Sequence, residues 1–250
     1  MFRKISAFVI GACAALTISA NASAETVTTE LLTYKVYAIS VTYNGNAFYA
    51  GGGAFEWVVH SDDLSQLPYG VGEHFISFCI EATEGLSANV PYEYNVVDPA
   101  NAPNVGWTQM GSEKADMLAR WFGAYYQGNS LDDWDPIEAM AFQMGIWEII
   151  AEDENNPLDL VSGKLQINNQ TNARAIAQNW LDDPAWKEAD AKRLSLIALT
   201  SPLTEPMTYI QDQILVVPTA VPSVVPLPAP LLAGGLLLGG VGLKRWRSTR

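Results

Sequence analysis

The stretch Phe142-Gln143-Met144-Gly145-Ile146-Trp147 lies in a segment that reads as a helix from its start. Asp135 stands where an N-cap belongs, Pro136 fits the first helical position, and Glu138 three residues on predicts a capping box. On a 3.6-residue period Ala139, Met140, Ile146, Trp147 and Ile150 share one face, with Gln143 in its middle. A buried primary amide without partners costs about 1–3 kcal/mol. Gln143 is therefore expected either to be hydrogen-bonded in the core or to take part in chemistry. Pro157 stops this helix near Ala151.

The segments before it read as strands. Val27 to His60 is rich in Val, Thr, Tyr and Phe, with a hairpin signal at Tyr43-Asn44-Gly45-Asn46 and a second break at Gly51-Gly52-Gly53. Two or three antiparallel strands are predicted there, followed by a polar loop from Ser61 to Gly72. Phe75 to Ala82 reads as a further strand, with Ile76, Phe78 and Ile80 on one side and Phe75, Ser77, Cys79 and Glu81 on the more mixed side. Pro91 to Gln109 reads as loop with short extended pieces. A helix is expected from Ser112, as its cap, to about Gln127, with Leu118, Trp121, Phe122 and Tyr125 at helical spacing.

After the Gln143 helix, Lys164 to Ile167 reads as a short strand and Asn172 to Leu181 as a weaker helix. Leu194 to Leu199 and Met207 to Val217 return to strand composition. Strands, then helices, then strands predict an α+β fold: an antiparallel β-sheet or sandwich with an inserted helical layer carrying the glutamine, in one domain over 25–217.

Both ends of the chain carry addresses. Arg3 and Lys4 precede an apolar run from Ile5 to Ile18, and Ala22-Ser23-Ala24 offers an A-x-A cleavage site, so 1–24 reads as a secretory signal peptide. At the other end, a Pro-rich spacer over 218–229 closes on Val225-Pro226-Leu227-Pro228-Ala229. An apolar run to Leu243 and the cations Lys244, Arg245, Arg247 and Arg250 follow in 230–250. Physically this is a short membrane stop with its positive end held in the cytoplasm, and a plain tail anchor is one reading of it. The order of motif, apolar run and basic end resembles the VPLPA-CTERM sorting signals, a variant of PEP-CTERM tails. That resemblance implies a Gram-negative bacterium and transient inner-membrane anchoring. It also implies tail removal by an exosortase/archaeosortase-type protease, then a place at the cell surface or in the extracellular matrix.

Removing both ends changes what the counts mean. Of two cysteines, Cys13 lies in the signal, and Cys79 alone remains, so no disulfide can form within the mature chain. The whole chain has a net charge of −13; without the two cations of the signal and the four of the tail, eight Lys and Arg face 27 acids, a net of −19. Such a surface repels nucleic acid and anionic lipid, so no nucleic-acid partner is expected and membrane contact only through the tail.

An exported lone cysteine on a strand and a glutamine inside a buried helix face suggest one product. Attack of the Cys79 sulfur on the Gln143 side-chain carbonyl expels ammonia and leaves an internal thioester. Phe78-Cys79-Ile80, followed later by Phe142-Gln143 and Ile146-Trp147, resembles the Cys–Gln thioester domains of bacterial surface adhesins. The resemblance implies covalent capture of an amine-bearing, lysine-like group on a surface or matrix target. Gln143 would be the acyl donor and Cys79 first nucleophile and then leaving group, with Trp147 shielding the bond. Such a protein is a single-use binder and not a turnover enzyme. Gly145 departs from the family pattern, where Ala is commoner. Gly in a helix costs about 0.5–1 kcal/mol relative to Ala; it is read here either as admitting the Cys79 strand or as the mark of a degenerate site.

Other readings stand beside this one. Cys79 as an inert buried thiol and Gln143 as a satisfied core amide are the plain alternatives. A Cys-dependent hydrolase or acyltransferase would need His74 or His60; strand parity puts His74 on the face opposite Cys79, and His60 is expected at the surface. A non-covalent matrix- or carbohydrate-binding protein would use exposed Trp107, Trp134, Trp180 and Trp186. The acids Asp132, Asp133 and Asp135, and Glu152, Asp153, Glu154 and Asp159, could hold Ca²⁺, but neither group has EF-hand spacing, so no cofactor or metal is expected.

Overall fold

β-Branched and aromatic residues alternate through two long strands, β1 (Thr26–Tyr43) and β2 (Asn46–Asp62), joined by a turn at Asn44-Gly45. The two pair along their whole length. The glycines at 51–53 therefore lie inside β2 and do not separate two strands: β1 supplies backbone partners on either side of them. A computed structural model describes residues 26–62, 67–103, 109–153, 156–191, 194–202 and 210–217. The expected signal peptide, the spacer with Val225–Ala229, the apolar tail, Cys13, Trp107, Glu154 and the first three residues of the expected Met207–Val217 strand lie outside the described residues.

The remaining strands are β3 (His74–Cys79), β4 (Pro91–Val97), β5 (Leu165–Ile167), β6 (Ser195–Thr200) and β7 (Gln213–Val217). They run in the order β2-β3-β7-β6-β4-β1-β5, all pairs antiparallel, and β1 also pairs with β2. One sheet thus closes on itself, with β5 added beside the outer end of β1, where a two-sheet sandwich was one of the two expected arrangements. The 91–97 segment is a strand and not a loop, because β1 and β6 offer it two edges despite its Pro and Asn content.

Three helices lie between and beside these strands: α1 (Ser112–Tyr125), α2 (Pro136–Ala151) and α3 (Thr171–Asp182). The α+β class is as the sequence predicts. In α1 the cap position is Gly111, so Ser112 is the first helical residue and not the cap. Asp135 does cap α2, accepting from the N–H groups of Ile137 and Glu138. No capping box closes there: the Glu138 carboxylate accepts instead from Gln127 Nε2 at 2.8 Å.

The largest departure concerns α2 itself. Every residue from Ala139 to Ala151 is buried, so the helix has no polar face and the stripe read from its sequence is part of an all-round apolar surface. Strands β1, β2 and β5 cover one side, and α1 and α3 cover others. β3 is buried on both sides for a related reason. Phe78 meets Phe122, Trp134 and Phe142 in the helical layer. On the opposite side Phe75 stacks on Trp57, which in turn meets Tyr94 edge-on inside the ring of strands.

Candidate functional site

The pairing of β3 with β2 runs from Val58↔His74 to Phe55↔Ser77 and stops. Two residues further along β3, Cys79 presents its N–H and C=O towards the β2 side, as alternation in an antiparallel strand requires. β2 does not meet them. Instead the Gln143 side chain does: the Cys79 N–H donates to Gln143 Oε1 at 3.0 Å, and Gln143 Nε2 donates to the Cys79 carbonyl at 2.7 Å. The amide stands in for the missing stretch of strand. Gln143 and Cys79 are both fully buried, and they lie 64 residues apart in sequence.

The glycines of β2 make the room. A Cβ on Gly52 would stand 3.0 Å from Trp147 Cη2 and 3.3 Å from Gln143 Cγ, and would overlap Ile39 Cδ1. Only a glycine lets the helix bring Gln143 and Trp147 this close to the strand. Next to it, Gly51 is exposed, yet its carbonyl lies 3.9 Å from the Cys79 sulfur. The sulfur sits one backbone thickness below the surface. The Gly run is therefore not a break: within a β-branched strand, glycine also signals close approach of another backbone or helix.

Gly145 has another function than the one expected. A Cβ there would overlap the Trp121 ring, standing 2.7 Å from Cε2 and from Cη2. The glycine seats the Trp121 indole of α1, whose Nε1 donates to the Phe142 carbonyl at 3.3 Å. It does not admit the Cys79 strand. By fixing α1 against α2 it holds Phe142, and with it the neighbouring Gln143, in place. Phe142 packs edge-on against Phe78, next to Cys79. Ile80 and Ile146 are fully buried in the same core.

Burial pushes the Cys79 thiol well up from its ordinary value; the Trp147 indole and the residue's own backbone N–H act the other way, and Glu81 adds to the rise. The thiol is thus held protonated in the resting protein. No histidine relieves it. His74 is exposed and paired with Glu56 at 3.1 Å, and His60 is exposed and paired with Glu30 at 2.7 Å. A Cys–His nucleophile is not assembled among the described residues.

Below Cys79 on β3 a polar chain crosses the core. Trp57 Nε1 donates to Ser77 Oγ at 2.7 Å, and Ser77 donates to Gln213 Oε1 at 2.7 Å. Gln213 is the β7 partner of Cys79. No local sequence signal marks this chain, because its members come from three strands distant in sequence, β2, β3 and β7. It fixes the register of β3 between its neighbours.

The remaining candidates fall elsewhere. Trp134 and Trp186 are buried core residues, so these two of the four tryptophans expected on the surface are not free to bind a ligand there, and Trp180 is half-buried against Tyr125. Among the described residues the exposed aromatics are Tyr34, Tyr37 and Tyr49. Among the described residues no group of three His, Cys, Asp or Glu is arranged to hold a metal ion. Asp133 and Asp135 serve as helix caps, Asp153 pairs with Lys164, and Asp159 accepts from Val161 N–H and Ser162. Also among the described residues, no helix is long and apolar enough to cross a membrane.

Compared with protein-family models, curated proteins and solved structures, the chain matches none. The site has to be interpreted from its own residues.

Proposed function

We propose that this chain is an exported surface protein that forms a thioester between Cys79 and Gln143 and transfers the acyl group once, to an amine on a surface or matrix target. The observation that supports this reading best is the pair of hydrogen bonds that hold the Gln143 amide on the backbone of Cys79. They bring the acyl carbon against the residue that carries the nucleophile, in a pocket closed to water.

The chemistry balances with these two residues alone. Sulfur attacks the side-chain carbonyl carbon of Gln143, the carbon–nitrogen bond breaks, and the thiol proton leaves with the nitrogen as ammonia. The Cys79 N–H on Oε1 is a donor of the oxyanion-hole type, aimed at the atom that gains charge. In the second stage a deprotonated amine attacks the same carbon and the carbon–sulfur bond breaks, leaving an amide and a free thiol. Burial protects the stored bond from hydrolysis. The C-terminal motif and basic end suit sorting by a membrane protease of the exosortase/archaeosortase type, with the mature chain left at the cell surface.

Intact-mass measurement of the exported protein tests the reading. The expected result is a deficit of one ammonia, reversed in favour of a methylamine adduct when methylamine is added. A full-mass protein whose Cys79 is unmodified after unfolding in a thiol reagent's absence, and fully labelled in its presence, would overturn it. The same two hydrogen bonds favour one second reading, a satisfied core amide in a non-covalent binding protein. Target capture that survives Cys79→Ala would select that alternative.

A further inference from the structure

Trp147 follows Gln143 by one helical turn, and both side chains rest over Gly52. The ring is fully buried, and its Nε1 has no hydrogen-bond partner. Buried indole N–H groups are nearly always paired, and the other buried tryptophans of this core obey that rule: Trp57 donates to Ser77, Trp121 to Phe142, Trp134 to Gly128 and Trp186 to Leu181. Trp147 is the exception, and it stands at the proposed site.

Trp147 and the Cys79 sulfur flank the same pair of glycines: the ring rests over Gly52, and the sulfur lies 3.9 Å from the Gly51 carbonyl; the indole also works against the rise that burial imposes on the thiol. That sulfur is poorly served otherwise. Its own backbone N–H also favours the charged form but is shared with Gln143 Oε1, and its other polar neighbour, the Gly51 carbonyl at 3.9 Å, is an acceptor that would repel a thiolate. A neutral thiol or thioester sulfur is a weak acceptor, whereas a thiolate is a strong one. The pocket therefore holds a donor whose partner comes into being only when the acyl–sulfur bond opens.

We propose that the Trp147 indole N–H donates to the Cys79 sulfur as the thioester is cleaved by an amine, stabilising the departing thiolate and not the resting bond. This inference rests on the thioester reading above. In the step, the amine nitrogen bonds to the Gln143 acyl carbon, the carbon–sulfur electron pair passes to sulfur, and the proton lost by nitrogen ends on the thiolate. A donor satisfied only in the transition state raises the rate without tightening the ground state.

Trp147→Phe keeps an aromatic ring and removes the donor. In the exported protein, the thioester should still form, and its aminolysis by methylamine, followed by intact mass, should slow by about 10- to 100-fold, as for loss of a hydrogen bond to a charged group. After aminolysis the freed Cys79 thiol, followed by thiolate absorbance, should titrate at higher pH than in the wild type. Mere loosening of the pocket moves both readouts the other way, because water would stabilise the thiolate and speed cleavage. An unchanged or faster aminolysis, or a thiol that titrates lower, overturns the proposal. Should Trp147→Phe not fold, the Trp147 indole N–H resonance of the wild type decides: it must shift when Cys79 ionises, and a constant resonance overturns the proposal. If the wild type carries no thioester, the functional reading fails, while the thiol titration and the indole resonance still report on the Trp147–Cys79 contact.

Discussion

Gln143 and Cys79 exchange two hydrogen bonds, 3.0 Å and 2.7 Å long, in which a side-chain amide takes the place of a neighbouring strand. The relationship makes the glutamine structural: its amide satisfies the backbone N–H and C=O of Cys79. Under the proposed thioester reading, the same contacts would also bring the acyl carbon to the residue that carries the nucleophile.

One consequence separates the hydrogen bonds from the covalent bond. Under the proposed thioester reading, Cys79→Ala and Gln143→Ala should both prevent crosslinking. Only Gln143→Ala also leaves the Cys79 N–H and C=O without partners, each worth about 1–3 kcal/mol when buried. In urea unfolding, Gln143→Ala should be less stable than Cys79→Ala by at least about 2 kcal/mol, with the lost side-chain volume contributing. Equal stabilities would show that water or β2 takes over the amide's bonds.

Gly145→Ala should destabilise the protein although alanine is the better helix former by about 1 kcal/mol. The new methyl group would overlap the Trp121 indole, which is fully buried and held by its bond to Phe142. Overpacking of this kind costs about 1–3 kcal/mol. The expected net result is a lower midpoint in denaturant; a higher midpoint would mean that α1 slides to make room.

Gly52→Ala probes the close approach of β2 to α2. Ile39 Cδ1 is the end of a flexible chain and can rotate away, but Trp147 Cη2 at 3.0 Å and Gln143 Cγ at 3.3 Å belong to a packed helix. The substitution should push Gln143 off Cys79 and lower the fraction of protein carrying the thioester, read by intact mass. Gly51→Ala, where a Cβ meets open space, should leave that fraction unchanged.

Stability should fall as pH rises above the ordinary carboxylate range. Burial pushes Glu148 and Asp212 up to about 8 and Glu84 up to about 7, so these groups are protonated in the folded chain at pH values where the unfolded chain has released its protons. Raised folded values mean that this stability is complete below about pH 4, where both states are protonated, and is lost as pH rises to about 8. Glu148 is the clearest case: Oε1 accepts from the Asp159 N–H at 2.6 Å, while buried Oε2 has no partner. Glu148→Gln should flatten the decline and make the protein more stable than wild type at about pH 9, as measured by denaturation at several pH values.

The α+β class, the cap at Asp135 and the end of α2 at Ala151 could all be read from the chain. Each depends on residues near one another in sequence. Cys79 and Gln143 could be singled out as a pair in a similar way: one is the thiol outside the expected signal peptide, the other a polar residue in an apolar helix.

Their geometry, the glycines that permit it and the unpaired Trp147 donor that rests with Gln143 over Gly52 were decided by tertiary structure. Gly145 shows why. Its local cost in a helix was legible, but its reason is the Trp121 ring of another helix, and no spacing along α2 encodes that neighbour. Likewise the Gly51–Gly53 run looks like a break until β1 pairs across it and α2 fills the space it leaves. Sequence determined which groups were out of place in an ordinary core, through local periodicity and composition. Long-range packing decided which of those groups meet, because contacts between β2, β3 and α2 depend on shapes that only the closed sheet and the helical layer create together.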